Sequence, residues 1–180
     1  MKSVLISIRP KWCEKICHEI GKDEMGKPIY EKRIEVRKSA PKEVPFKCYI
    51  YCTKMRKKAD LITKSENFGW IICAAHALFN RAEEYDTNGK VIGEFICDKV
   101  YLIKNQGNRF VVANEEQGVT NEIARQSCLD YDDMVDYLGN KDGYGWHISD
   151  LKIYDKPLLL SELGVNRPPQ SYMYVEEVKR

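Results

Sequence analysis

The sequence has 180 residues, of which 43% are hydrophobic and 31% are charged, and its formal net charge is +2. This length is typical of one domain, and the apolar content is sufficient for a hydrophobic core. Because the charges nearly cancel, the protein as a whole does not attract nucleic acid strongly, and any site for a polyanion must be a local patch.

Periodic apolar residues predict four elements in the first third of the chain. Residues 3–8 are mostly apolar and predict a strand that is buried on both faces. A helix is predicted over residues 11–20, because Pro10 suits a first helical turn and apolar residues recur every four positions. Alternation of apolar and polar residues predicts strands at 32–38 and 46–53.

The stretches between these elements and the second half of the chain are less regular. Residues 21–30 and 54–67 are polar and predict loops. Residues 68–84 predict a helix from the composition of residues 74–84, although residues 70–73 could also form a strand. We interpret residues 54–86 as an insertion over the main sheet.

The second half of the chain combines short helices with strands. Helices are predicted over residues 120–127 and 131–138, and Asp130 or Asp132 suits the N-cap of the second. Strands are predicted at residues 90–104, 109–113, 146–154 and 171–178. The order of elements is a strand, a helix and then mostly strands. This order predicts one α+β domain over residues 1–180, with a closed or partly closed β-barrel.

The strand at residues 32–38 carries the most informative pattern. Ile34 and Val36 fall on one face, whereas Arg33, Glu35 and Arg37 fall on the other. If the charged face lines a concave cleft, it is a recognition surface. If it meets bulk solvent, it is an ordinary strand face with cross-strand ion pairs worth about 0.2–1 kcal/mol each.

The same strand contains the motif Lys32-x-x-Glu35-x-Arg37, which follows a first strand and helix. The segments around it stand in a fixed order: residues 5–11, 89–95, 146–154 and 167–171. Together they resemble the ASCH domain family, a branch of the PUA-like proteins found in bacteria and phages. The resemblance covers most of the chain except roughly residues 54–86. It implies a PUA-like mixed β-barrel of about six strands with short flanking helices, and a cleft that binds RNA or acts on nucleosides.

Two features depart from the family pattern. The family motif has Gly-x-Lys running directly into the strand, whereas a loop separates Gly21 from Lys32 in this chain. Lys27, just after Gly26, is the alternative motif lysine, but only Lys32 has the expected spacing to the acidic and basic positions. Amidohydrolase-like members carry threonine where this chain has Glu35, so the resemblance does not transfer that activity directly.

Lys32, Glu35 and Arg37 are the candidate catalytic residues if the protein is an enzyme. Arg37 suits a phosphate or carbonyl oxygen, and Glu35 suits a base edge or the role of general base. A lysine that is desolvated beside Arg37 has a lowered pKa, as a base or nucleophile requires.

Five further residues are candidate ligand contacts. Arg9, Lys11 and Trp12 lie at a strand-to-helix junction, which could hold a phosphate and a stacked base unless Trp12 packs in the core. His147 and Ser149 share one strand face and could form a polar wall, although a lone histidine in a strand is more often structural.

The sequence contains seven cysteines, an odd number, and a predicted strand begins soon after Met1. Both features favour a cytoplasmic protein with reduced thiols. Cys13, Cys17, Cys48 and Cys52 lie on a predicted helix and strand rather than on turns, so we expect buried thiols and no metal site. The sequence contains no phosphate-binding glycine loop, and we expect no cofactor. No apolar run approaches the roughly 20 residues that span a bilayer, so no membrane association is expected.

Three functions therefore remain open, and the sequence does not indicate the oligomeric state. The first is a module that binds RNA or a modified nucleotide in a charged cleft. The second is a hydrolase, a nucleoside amidohydrolase or a ribonuclease, with Lys32 as base or nucleophile. The third is a phage or mobile-element accessory protein that binds a protein partner through residues 54–86.

Overall fold

The computed structural model describes residues 2–54, 61–65, 69–73 and 88–177. These residues form an α+β fold in which strands predominate. The described strands are β1 (Lys2–Ile8), β2 (Glu19–Lys22), β3 (Pro28–Tyr30), β4 (Ile34–Arg37), β5 (Phe46–Cys52), β6 (Leu61–Ser65), β7 (Gly69–Cys73), β8 (Lys90–Cys97), β9 (Val100–Asn105), β10 (Phe110–Val112), β11 (Gly143–His147), β12 (Ser149–Leu158) and β13 (Tyr172–Glu176). The described helices are α1 (Pro10–Cys17), α2 (Gln117–Ser127) and α3 (Tyr131–Leu138), with a 3₁₀ turn at Leu160–Leu163.

The larger sheet has five strands in the order β12–β8–β5–β1–β13. Strand β1 pairs in parallel with β5, where Ile6 lies opposite Ile50, and pairs antiparallel with β13. Its residues from Ser3 to Ile8 are all buried, as the continuous apolar run predicts for a central strand.

The smaller sheet has the order β10–β9–β11–β4, which puts the motif-bearing strand at an edge. Strand β4 pairs antiparallel with β11, and Glu35 lies opposite Trp146. On one face of β4, Ile34 and Val36 join a core cluster that includes Ile123 of α2 and apolar residues of α3. The other face carries the charged motif residues towards the larger sheet.

Trp146 is the largest side chain in the core and is fully buried. Its ring meets Phe46 edge-on, with centroids 5.4 Å apart, and meets Tyr172 at 4.9 Å. Helix α1 buries Cys13 and Ile16 against the same cluster. Six cysteines are free thiols: Cys13, Cys17, Cys48, Cys52, Cys97 and Cys128. Burial raises the pKa of Cys13, which keeps that thiol protonated.

Two long predicted strands are each divided between the two sheets. The chain leaves the larger sheet after β8 and re-enters the smaller one as β9, and it returns after β11 to form β12. The two changes of sheet meet at one corner, where the His147 amide donates to the Lys99 carbonyl at 2.9 Å. No ladder of hydrogen bonds joins the two sheets among the described strands. The predicted barrel is therefore not closed within the described part of the chain.

Two predicted loops contain hairpins. Strands β2 and β3 pair within residues 19–30, and β6 pairs antiparallel with β7. The loop predicted at 54–67 and the helix predicted at 68–84 are therefore wrong for the described residues of β6 and β7. A short apolar run such as residues 70–73 is compatible with either a helix or a strand. Pairing with β6 makes it a strand. Residues 74–84 of the predicted helix lie outside the described residues.

The predicted helices at the end of the chain are confirmed. Helix α2 begins three residues earlier than predicted, and α3 has the predicted bounds. The Asp130 side chain caps α3 by accepting from the Asp133 amide. Within the described part of the chain, no helix is long and apolar enough to cross a membrane.

Gly93 allows a close approach between β8 and β12, and we predict that Gly93→Ala separates these strands. A Cβ atom at Gly93 would lie 2.5 Å from the Lys152 carbonyl oxygen. We expect a loss of about 1–3 kcal/mol in the free energy of unfolding, measured by urea denaturation. Gly118→Ala in α2 is the matched control, because a Cβ there meets no atom within 4 Å and alanine favours helix by about 0.5–1 kcal/mol. Equal stability of the two variants would contradict the prediction.

Candidate functional site

A cleft of about 440 Å³ opens where the end of β1 and the start of α1 meet β4 and α3. This volume is within the usual range for small-molecule sites, which is about 300–1,000 Å³. Six of the eight residues predicted to contact a ligand line the cleft: Arg9, Lys11, Trp12, Lys32, Glu35 and Arg37.

The floor of the cleft is a buried row of three charges. Glu35 lies between two cations, with its Oε1 atom 2.9 Å from Arg37 Nη2 and its Oε2 atom 3.4 Å from Lys32 Nζ. The exposed fractions of Lys32, Glu35 and Arg37 are 1%, 6% and 5%, so this is not a solvated strand face. Strand β4 begins two residues after Lys32, which allows the lysine to turn towards the side of Glu35.

Backbone carbonyl groups anchor both cations of this row. Arg37 Nη2 donates to the Ser7 carbonyl of β1 at 2.9 Å, and Lys32 Nζ donates to the Ser127 carbonyl at the end of α2. Two polar atoms of the row, Glu35 Oε2 and Arg37 Nε, are buried and make no hydrogen bond, although Oε2 lies in the ion pair with Lys32. A buried polar atom without a hydrogen bond costs about 1–3 kcal/mol, so the row is not fully satisfied by its protein contacts.

Burial lowers the pKa of Lys32, because its ammonium group is removed from water. The charge of Glu35 partly opposes this shift, and the charge of Arg37 adds to it only weakly. The predicted direction is confirmed, although desolvation contributes more than the neighbouring arginine. A neutral amine at Lys32 is therefore reached at a lower pH than for an exposed lysine.

Trp12 lines the cleft from α1 and also packs against the main core cluster, so the expected core packing does not remove it from the cleft. Two cations approach its ring: Lys11 Nζ lies 4.4 Å from the ring centroid and Lys32 Nζ lies 5.2 Å from it. Lys11 Nζ is also 3.9 Å from Asp133 Oδ1.

Helix α3 contributes an acidic wall that the sequence analysis missed. Asp133, Asp136 and Tyr137 line the cleft from one face of this helix. Asp136 and Tyr137 follow Asp133 by three and four positions in the sequence. Residues at this spacing share a helix face, and this pattern could have indicated the wall. Only the packing of α3 beside β4 shows that this face borders the motif residues.

His147 and Ser149 do not line the cleft. His147 Nδ1 lies 2.6 Å from Asp98 Oδ1, and the Ser149 hydroxyl donates to the Ile96 carbonyl at 2.8 Å. Partial burial raises the pKa of Asp98, but the hydrogen bond and charge of His147 outweigh this and lower it. Both residues lie at the corner where the chain changes sheets, and their contacts there are local. Within the described residues, no group of three His, Cys, Asp or Glu side chains could hold a metal ion.

Solved structures show the same arrangement of elements. The ASCH protein from Zymomonas mobilis matches 97% of this chain and 88% of its own, with a TM-score of 0.55 and 14% identity. A single-substitution variant of that protein matches with a TM-score of 0.57, covering 98% of this chain and 92% of the variant, also at 14% identity. No protein-family model matches the sequence, and no curated protein matches it significantly.

The chain is therefore an α+β protein, and its fold is similar to that of the ASCH protein. At 14% identity the likeness is one of fold, and the roles of the cleft residues are argued from their own geometry.

We predict that Glu35→Ala strongly destabilises the protein, because it leaves the charges of Lys32 and Arg37 buried without an anion. The expected loss is about 3–5 kcal/mol in the free energy of unfolding, measured by urea denaturation. Glu122→Ala is the control, since this carboxylate pairs at the surface with Arg125 at 2.6 Å and should contribute no more than about 1 kcal/mol. Similar losses in both variants would contradict the buried-charge account.

Proposed function

We propose that this protein binds RNA or a modified nucleotide in the cleft between β1, α1, β4 and α3. The observation that carries the proposal is the buried acceptor and donor on the cleft floor. Glu35 Oε2 and Arg37 Nε lie among the lining residues and make no hydrogen bond. A base edge offers donors and acceptors in one plane, which would satisfy both atoms.

The cleft entrance supports the same proposal. Arg9 and Lys11 flank the N-terminal end of α1, where the helix dipole and the basic side chains attract phosphate. Trp12 presents an aromatic ring at this entrance, and base stacking on such a ring is worth about 1–3 kcal/mol per base. One phosphate and one base would thus meet suitable groups within the same cleft.

The fold is consistent with this proposal. We interpret the two sheets as the two sides of a PUA-like β-barrel within one domain, with residues 54–86 as an insertion. The free thiols of the described cysteines favour a reducing compartment, and we propose a cytoplasmic protein.

The proposal predicts salt-dependent binding of short single-stranded RNA, measured by fluorescence anisotropy. Each phosphate contact should contribute about 0.7 to the slope of log affinity against log salt. Arg9→Ala should weaken binding and reduce the slope, because it removes one phosphate contact. Lys99→Ala is the control, since Lys99 is an exposed lysine that does not line the cleft. Absence of salt-dependent binding to any RNA or nucleotide at micromolar protein would contradict the proposal.

A hydrolase acting on an acylated nucleoside or on RNA is the second candidate. The observation that favours it is the position of Lys32, a buried lysine with a lowered pKa whose Nζ lies 3.4 Å from Glu35 Oε2. As a base, the neutral amine would take a proton from a water molecule, whose oxygen attacks the acyl carbon or the phosphorus atom while the leaving group is protonated. As a nucleophile, it would attack the acyl carbon itself and give its proton to the leaving nucleoside amine, and water would then hydrolyse the acyl-lysine. Glu35 and Arg37 would orient the substrate.

The hydrolase predicts a pH-dependent rate that Lys32→Ala abolishes. Only the unprotonated amine of Lys32 can accept a proton, so the rate should rise with pH and level off above the lowered pKa of this group. Turnover of acylated nucleosides and of RNA would be measured for the wild type, Lys32→Ala and the control Lys99→Ala. Turnover that survives Lys32→Ala would rule out this role for Lys32.

A further inference from the structure

The charges that line the cleft are nearly balanced, which is unusual for a surface that binds a run of phosphates. The cations are Arg9, Lys11, Lys32 and Arg37, and the carboxylates are Glu35, Asp133 and Asp136. A strand of RNA lying along α3 would bring its phosphates close to two carboxylates, at a cost in Coulomb energy. The acidic wall therefore needs an explanation that a general phosphate site does not provide.

The ring of Trp12 and the wall together form an environment for a cation. Lys11 Nζ lies 4.4 Å from the Trp12 centroid and 3.9 Å from Asp133 Oδ1, so an ammonium group already occupies the space between an indole face and a carboxylate. Indole is the aromatic ring that attracts cations most strongly. The Lys11 side chain is 61% exposed, and it can swing into solvent when a ligand arrives.

The floor of the cleft provides an independent indication of a ligand. The Glu35 and Arg37 side chains are only 8% and 6% exposed, and Glu35 Oε2 and Arg37 Nε make no hydrogen bond, although Oε2 lies in the ion pair with Lys32. The floor thus holds a polar acceptor and a polar donor that a shift of these side chains would bring to the edge of a bound base. The aromatic face at the entrance and the carboxylates at the side match the face and the charge of one flat cationic group.

From this arrangement we infer that the cleft recognises a single nucleotide whose base carries a positive charge, such as N1-methyladenine or N7-methylguanine. The base stacks on Trp12 in the place of the Lys11 ammonium, and its charge lies beside Asp133 and Asp136. Its edge contacts the cleft floor. This inference rests on the proposed function, because it names the class of base for the same cleft.

Calorimetric titration with matched nucleosides tests the inference without a phosphate. The probes are N1-methyladenosine against adenosine and N7-methylguanosine against guanosine, so that each pair differs by one methyl group and its charge. The cationic member of each pair should bind at least about tenfold more tightly, as expected for a desolvated cation–π contact beside carboxylates.

Three variants separate charge recognition from general loss of structure. Asp133→Asn combined with Asp136→Asn should remove the preference for the cationic nucleoside while retaining the binding of adenosine. Lys11→Ala should tighten binding of N1-methyladenosine, because it removes the competing ammonium. Asp132→Asn is the matched control, since Asp132 is an exposed carboxylate of the same helix that does not line the cleft.

The outcomes distinguish this inference from the proposed function. Binding of neutral and cationic nucleosides with equal affinity overturns the inference and leaves the proposed function standing. A cationic preference that survives Asp133→Asn with Asp136→Asn also overturns it. If no nucleoside, nucleotide or RNA binds the folded wild-type protein, both are overturned.

Discussion

Glu35 is the only buried carboxylate among the described residues, and it lies between two buried cations. Its contacts with Lys32 and Arg37 offset the cost of removing three charges from water, and each cation also donates to a backbone carbonyl. Through these two carbonyls the row connects β4 to β1 on one side and to the end of α2 on the other. The larger sheet, the smaller sheet and a helix are thus held at fixed positions around one polar cluster, which becomes the floor of the cleft.

The cleft lies beside the edge of the smaller sheet. The described strands form two separate sheets, and the motif strand β4 is at an edge of the smaller one, with Arg37 reaching the Ser7 carbonyl of the larger one. Helices α1 and α3 also line the cleft and supply an aromatic ring and two carboxylates. In the binding mode that we propose, a ligand displaces the exposed Lys11 side chain, whereas the backbone contacts of the floor stay in place.

The same charges serve stability and recognition in different ways. Burial makes the row costly to disrupt and also lowers the pKa of Lys32, which gives the protein a lysine suited to proton transfer. The exposed charges at the entrance contribute little to stability, as surface ion pairs generally do. In our proposal they select the ligand, and their near balance favours one small group over an extended polyanion.

The sequence by itself determined the order of the main strands and helices outside the two hairpins, the alternation on β4 and the bounds of α3, with Asp130 or Asp132 as its cap. These features follow from local periodicity and side-chain chemistry. The tertiary structure alone decided that residues 90–104 divide between two sheets, that Lys32 turns towards Glu35, that Asp133 borders the cleft and that His147 does not. Each of these depends on which distant segments pair or pack together, and a local pattern carries no information about contacts between residues far apart in the chain.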